Sequence, residues 1–178
     1  MTAALRATLA THEPADAEEA ADLDEIRAMV DRVADPASRH EPLHVTASAL
    51  VVHPPTGRVL LRWHAKQRRW LQVGGHFDPG EDDPWLVALR EAEEETGLAD
   101  LRPLVAGLFQ VTIVDVEPTP KEPAHRHADL RYLLVTDRPG DVPAEVEDVP
   151  LRWCSLDEAL ELADEGLERL LRRVPGLG

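Results

Sequence analysis

Aromatic side chains are scarce in this chain. They make up 4% of 178 residues, so its apolar contacts must come mainly from aliphatic side chains. Cysteine is scarcer still: Cys154 stands alone. That excludes an intramolecular disulfide and fits a reducing compartment. Long apolar runs are missing too; none approaches the roughly 18 residues that a membrane-spanning helix needs. The segment from Met1 to Ala10 is too short and too polar for a secretory apolar core. The expectation is a cytoplasmic protein with no membrane partner. Basic residues are outnumbered, with 19 Lys and Arg against 34 Asp and Glu, for a net charge of −15. Such a surface repels phosphate backbones, which argues against a nucleic-acid partner. It does not exclude a small anionic substrate, because a divalent cation held by clustered carboxylates inverts the local field. Most of the acidic residues read simply as a solvated surface.

What is present is an ordinary globular balance, 43% apolar and 30% charged, in a chain long enough for one core. Residues 1–40 read as a helical extension and residues 41–178 as the main domain. In the extension, Leu23, Ile26, Val30 and Val33 recur at helical spacing. Pro14 suits a first helical turn, and Asp35-Pro36 a stop. Residues 43–52 read as a strand, Pro54-Pro-Thr-Gly57 as a turn and Arg58 to Trp63 as a second strand, so the pair forms a hairpin. Asp83-Pro84 supplies an N-cap and a first-turn proline for a helix running to Thr96, with Gly97 as its stop. Strands are expected near 103–116 and 130–137. Ser155-Leu-Asp-Glu158 is a capping box opening a C-terminal helix. This order predicts an α/β (α+β) chain with helices on both faces of a mixed sheet.

The chemistry is concentrated between Gly74 and Leu98. On the predicted helix, Trp85, Ala88, Leu89, Ala92 and Thr96 share a stripe that can face the sheet. Glu91, Glu94 and Glu95 share an adjoining arc. Three like charges at i, i+3 and i+4 repel, and a cation between them removes that penalty. Hard carboxylate oxygens suit Mg²⁺, with Mn²⁺ as a substitute. Glu93 points elsewhere and reads as solvated.

This stretch resembles the Nudix box, G-x5-E-x7-R-E-U-x-E-E-x-G-U, where U is a bulky aliphatic residue. Gly75 and Glu81 match its opening, and Arg90-Glu91-Ala92-Glu93-Glu94-Glu95-Thr96-Gly97-Leu98 its close. The chain departs from the pattern twice. Eight residues separate Glu81 from Arg90, and Ala92 is small for its position. The extra residue is expected in Glu81-Asp-Asp-Pro84, before the helix, where it leaves the helical Glu spacing intact.

The resemblance implies a Nudix-like α/β/α sandwich with an extra N-terminal helix. The implied activity is a Mg²⁺-dependent hydrolase cleaving a diphosphate linkage in a nucleotide-like substrate. It implies Glu94 and Glu95 as the main metal ligands, Glu91 as a further ligand or the base, and Arg90 as the residue holding a Glu carboxylate in place. Glu81 would support the metal's waters, and the Gly74 carbonyl, or failing it that of Gly75, would reach the metal. In many such proteins an acidic loop before a Trp-containing strand supplies another ligand or the base. Here Glu147 is the first choice and Glu145 the second, against a simply solvated loop. Other readings of the resemblance are a nucleotide-sensing module without catalysis and an isopentenyl-diphosphate isomerase. The intact box disfavours the first, and the late position of Cys154 the second.

One more segment carries polar chemistry. At period two, His125, His127, Asp129 and Arg131 share a face. They could line a phosphate cleft or be ordinary polar residues on a sheet edge. Two histidines alone are too few for a transition-metal site. Trp63, Trp70 and Trp153 read as core residues before base-stacking ones, and Cys154 as buried and inert. The N-terminal extension makes a homodimer plausible.

Overall fold

A computed structural model describes residues 3–120, 122–143, 145–146 and 149–176. The helices α1 (Ala3–Thr11) and α2 (Ala17–Arg32) come first. They are followed by β1 (Leu43–His53), β2 (Arg58–His64), β3 (Arg69–Leu71) and β4 (Val73–His76). Then come α3 (Pro84–Thr96), β5 (Arg102–Pro103), β6 (Gln110–Val116) and β7 (His125–Val135). The chain closes with β8 (Glu145–Val146), β9 (Val149–Cys154), α4 (Leu156–Leu162) and α5 (Glu165–Leu171).

The sheet runs β5-β7-β1-β2-β9-β8, with β6 also on β7, β4 on β1 and β3 on β2. The β1–β7 pair is parallel and the others are antiparallel, so the sheet is mixed. Alternation along β1 explains the layers. Val45, Ala47, Ala49 and Val51 face a core shared with Leu5, Leu9, Leu23, Ile26, Val87, Ala88 and Ala92, so α1, α2 and α3 cover that side. Leu50 and Val52 face the opposite core, with Ala159, Leu167, Leu170 and Leu171 of α4 and α5. The result is an α/β/α sandwich.

The second face changes character along its length. In β1 the same-face series is His44, Thr46, Ser48 and then Leu50 and Val52; in β7 it is His125, His127, Asp129, Arg131 and then Leu133 and Val135. The apolar half carries α4 and α5. The polar half forms the floor of a cavity of about 470 Å³ lined by Thr46, Ser48, His76, His127, Asp129 and Arg131. A change in side-chain polarity midway along two paired strands thus sets where the helices stop and a cleft begins.

Three boundaries differ from expectation. The N-terminal region holds two helices, not one. Pro14 lies in their connection, and the second helix starts behind Asp16, whose side chain accepts from the Glu19 amide. The stretch near 103–116 splits into β5 and β6. The strand expected at 130–137 begins at His125, and it pairs on both sides, with β1 and β6. His125 to Arg131 therefore lie inside the sheet and not on an edge. The Ser155 capping box is present, with both reciprocal bonds formed.

Candidate active site

The helix α3 begins and ends at the residues the sequence marks. The Asp83 side chain accepts from the Trp85 amide, Pro84 occupies the first turn, and Gly97 closes the helix in the left-handed region at φ 72°. The helix is continuous from Pro84 to Thr96, so the extra residue sits in the preceding loop. Its buried face is Val87, Ala88, Ala92 and Thr96, with Trp85 and Leu89 packed against the same core; Val87 was not in the expected stripe.

The carboxylates gather beside β4. Arg90 is their organiser. Its Nε and Nη2 donate to the two oxygens of Glu81 at 2.8 and 2.9 Å, a bidentate pair that fixes the planar guanidinium. Its Nη1 donates to Glu91 at 2.9 Å and Glu94 at 3.2 Å, and Nη2 also reaches the His76 carbonyl at 3.1 Å. Glu95 accepts from the Gly74 amide at 3.0 Å and pairs with Arg62 at 3.1 Å. The two glycines are required by this closeness. A Cβ on Gly74 would stand 2.5 Å from the Ser48 Cα, and one on Gly75 would stand 2.5 to 2.7 Å from the Glu91 carboxylate.

Burial raises the proton affinity of two of these groups. Glu95 is pushed up to about 7 by burial, against the lowering effect of the Gly74 amide and Arg62, while Glu91 and Glu94 raise it further. Glu91 is also raised, first by burial, against Arg90. Glu81 is lowered, first by its bond to Arg90. Glu94 is 60% exposed on its side chain. Glu91, Glu94 and Glu95 therefore form a hard-oxygen cluster in which two carboxylates are partly desolvated, with Arg90 and Arg62 as the paired cations. That donor set fits a divalent cation.

Gly74 and Gly75 line the cleft and also touch Glu95 and Glu91, so they join the carboxylates to the polar sheet face. On that face Asp129 and Arg131 are buried and satisfy each other at 2.9 Å. Asp129 also accepts from Thr46 at 3.1 Å, Ser48 at 2.8 Å and Gln72 at 3.3 Å. Arg131 donates to Gln110 at 3.2 Å and to the Gly166 carbonyl at 2.7 Å, which ties β7 to α5. His125 and His127 lie toward the open end, Nε2 to Nε2 at 3.2 Å. Burial holds His127 down to about 4 and His76 down to about 3, so both are neutral near pH 7.

The structure thus brings Glu81, Arg90, Glu91, Glu94, Glu95, Gly74 and Gly75 together, with His127, Asp129 and Arg131 on the adjoining face. Glu147 lies outside the described residues; of Glu145, only its backbone pairing with Pro150 is described. The sequence reading missed Arg62, Thr46, Ser48, Gln72, His44 and His76. The alternation of β1 could have flagged Thr46 and Ser48, and His76 sits inside the box itself. Trp63 and Trp70 meet edge to face at 5.7 Å, and Trp153 donates to the Pro139 carbonyl at 3.1 Å. Cys154 is buried, and burial pushes its thiol up, so it is not poised as a nucleophile.

The fold and carboxylate helix define a class, the mixed-sheet α/β/α hydrolases of phosphoanhydrides. The C. elegans Ap4A hydrolase has the same fold, with a TM-score of 0.55 at 24% identity over 72% of this chain and 92% of that one. So does the E. coli dihydroneopterin triphosphate pyrophosphohydrolase, with a TM-score of 0.55 at 18% identity over 75% and 97%. In sequence, the chain is 32% identical over 121 residues to a probable DHNTP pyrophosphohydrolase of Lactococcus lactis, covering 67% of this chain and 68% of that protein. It is 27% identical over 125 residues to the asymmetrical bis(5'-nucleosyl)-tetraphosphatase of C. elegans, covering 67% and 86%. The family model of the NUDIX domain matches residues 42–174. The chain belongs to the Nudix hydrolase family. Hydrolases of this family use divalent metal ions. No helix among the described residues is long and apolar enough to cross a membrane.

Proposed function

We propose that this protein is a Mg²⁺-dependent pyrophosphohydrolase, with Mn²⁺ as a substitute, acting on a small nucleotide-like substrate with a linear phosphoanhydride chain. One observation carries the reading: Glu91, Glu94 and Glu95 converge beside Gly74 and Gly75, with two of the three carboxylates partly desolvated. The names of the relatives point the same way, since a bis-nucleosyl tetraphosphate and dihydroneopterin triphosphate share such a chain.

In this reading Glu94, Glu95 and Glu91 hold the metal together with the Gly74 carbonyl. When bound, the metal neutralises phosphate charge and lowers the pKa of a coordinated water. Arg90 fixes the carboxylates, and Glu81 fixes Arg90. Glu147 is the proposed base that takes a proton from water, or closes the metal shell. His125, His127, Asp129 and Arg131 form the substrate-facing wall, where the Asp129–Arg131 pair, already satisfied, acts as a rigid floor. Residues 1–40 form an extension to a domain spanning 41–178. The protein is cytoplasmic, without a nucleic-acid or membrane partner, and a homodimer.

The test is a panel of nucleoside triphosphates, dinucleoside polyphosphates and ADP-ribose, assayed for phosphate or monophosphate release with and without Mg²⁺. Metal-dependent cleavage of at least one member is expected. Tight binding without cleavage across the panel would replace the enzyme with a nucleotide-sensing module.

A further inference from the structure

Four imidazoles crowd the open end of the polar sheet face. The strand register explains the crowding. His44 of β1 lies directly opposite His127 of the parallel strand β7, and His76 of β4 lies opposite Thr46, two residues along β1. Every ring centroid of His44, His76 and His127 is 4.9 to 5.2 Å from the other two. One ligand nitrogen from each of these three side chains lies within 4.8 Å of the other two. His44 Nε2 and His76 Nε2 are 3.2 Å apart. His125 stands just outside this set, in contact with His127.

We propose that His44, His76 and His127 form a binding site for a late first-row divalent ion of the zinc type, distinct from the carboxylate cluster on α3. Three features support it. Bonds of about 2.0 to 2.1 Å to zinc at a tetrahedral angle place ligand nitrogens about 3.3 Å apart. The His44–His76 separation already meets that spacing, and a His127 ring nitrogen lies within 4.8 Å of both. The outer shell is in place as well. His44 Nδ1 is bonded to the Glu41 carbonyl at 3.0 Å, and a carbonyl only accepts, so the proton is on Nδ1 and the Nε2 lone pair is bare. A backbone carbonyl behind a ligating imidazole is the usual means of fixing its tautomer and aim. Finally, neutral imidazole nitrogens prefer zinc, nickel or copper to magnesium, which prefers oxygen. The protein thus carries two chemically different donor sets, the carboxylates on α3 and the imidazoles on the polar sheet face.

The site would be three-coordinate from protein, with a position left for water or for a substrate oxygen. The cavity it borders, about 730 Å³, is lined by His44, His76, His125 and His127 and shares His76 and His127 with the substrate-facing cleft. An ion there would also staple β1, β4 and β7 together. The competing account is a cluster of imidazoles hydrogen-bonded in pairs, with His76 donating to His44.

The experiment is binding of Zn²⁺ and of Co²⁺ as its spectroscopic probe to the full chain, in excess Mg²⁺ to occupy the carboxylates. The expected result is one equivalent of Zn²⁺, an intense four-coordinate Co²⁺ visible band, and imidazole nitrogen in the zinc X-ray absorption first shell. The Glu94→Gln/Glu95→Gln protein should keep this signal, and His127→Ala should weaken the affinity by at least about 100-fold, beyond the usual cost of losing an outer-shell partner. The absorption measurement on the wild-type chain needs no variant, so a misfolded His127→Ala protein leaves the test intact. An oxygen-only first shell, loss of the signal in the Glu94→Gln/Glu95→Gln protein, or no binding in excess Mg²⁺ would overturn the site and leave the hydrogen-bonded cluster.

Discussion

Glu95 and Glu19 are both withdrawn from solvent, yet their environments push them in opposite directions. Glu95 is raised to about 7, and Glu19, which burial alone would also raise, is lowered to about 2. The difference lies in the partners. Glu19 accepts from the amides of Ala15 and Val111 at 2.9 Å each and from Arg173 at 2.8 Å, and His12 lies 2.8 Å away. Its carboxylate is fully supplied with donors and has no acidic neighbour in hydrogen-bond contact. Together with Asp22, which accepts from the Ile113 amide at 3.0 Å, it covers the free edge of β6. Glu95 has one amide and one arginine, and Glu91 and Glu94 share its arc. A buried carboxylate with all its donors stabilises a fold; one with too few, beside like charges, is arranged for a ligand that brings positive charge.

The comparison breaks most visibly on activity. Glu95→Gln and Glu94→Gln should each lower the hydrolysis rate by at least about 100-fold, roughly a few kcal/mol of transition-state stabilisation. Glu95→Gln should nevertheless melt no lower than wild type in metal-free buffer, because it removes a desolvated, repelled charge; a clear fall in Tm would show that Glu95 is a structural residue like Glu19.

Glu19→Gln should do the reverse. It leaves Arg173 and two amides facing a neutral group, at a cost of about 3 kcal/mol of stability, while the hydrolysis rate of the folded fraction stays near wild type. Denaturant unfolding reads this directly. The pH dependence sharpens it. The folded-state pKa of Glu19 lies below its ordinary value of 4.5, so its stabilisation is complete above that value and is lost as pH falls toward about 2. The variant should show a flatter acid limb than wild type; an identical limb would remove Glu19 as the stabilising carboxylate.

Gly74→Ala is a smaller perturbation on the other side of the comparison. Its Cβ would meet the Ser48 backbone at 2.5 Å, and its φ of 151° is one that L side chains rarely adopt. A loss of about 1 to 3 kcal/mol is expected from overpacking and strain, with a fall in activity because Gly74 also orients Glu95. Glu93→Gln is the control, exposed on α3 away from the cluster, and should change stability by less than about 0.5 kcal/mol.

The elements that the sequence made readable were those fixed by local chemistry. Asp83-Pro84 and Gly97 bound α3 because a cap, a proline and a left-handed glycine act within one turn. The Glu91, Glu94 and Glu95 arc follows from helix geometry alone. What stayed hidden depends on distant chain. His125 to Arg131 carry little strand propensity, and only pairing with β1 and β6 makes them strand. The role of Glu19 needs the amide of Val111 and the guanidinium of Arg173, both far along the chain, so its helix read only as a run of apolar residues at helical spacing. His44, His76 and His127 meet because of the β1–β4 and β1–β7 registers, which the sequence does not display. Arg62 was likewise invisible as the partner of Glu95.

The central claim is that the carboxylate arc on α3 is the metal-dependent catalytic centre. Hydrolysis measured against Mg²⁺ concentration, for wild type and Glu95→Gln side by side on the best substrate of the panel, tests it most directly. Wild type should rise from negligible activity to a plateau, and Glu95→Gln should stay at least about 100-fold lower at every Mg²⁺ concentration. Equal activity of the two proteins, or hydrolysis that ignores Mg²⁺, would contradict it.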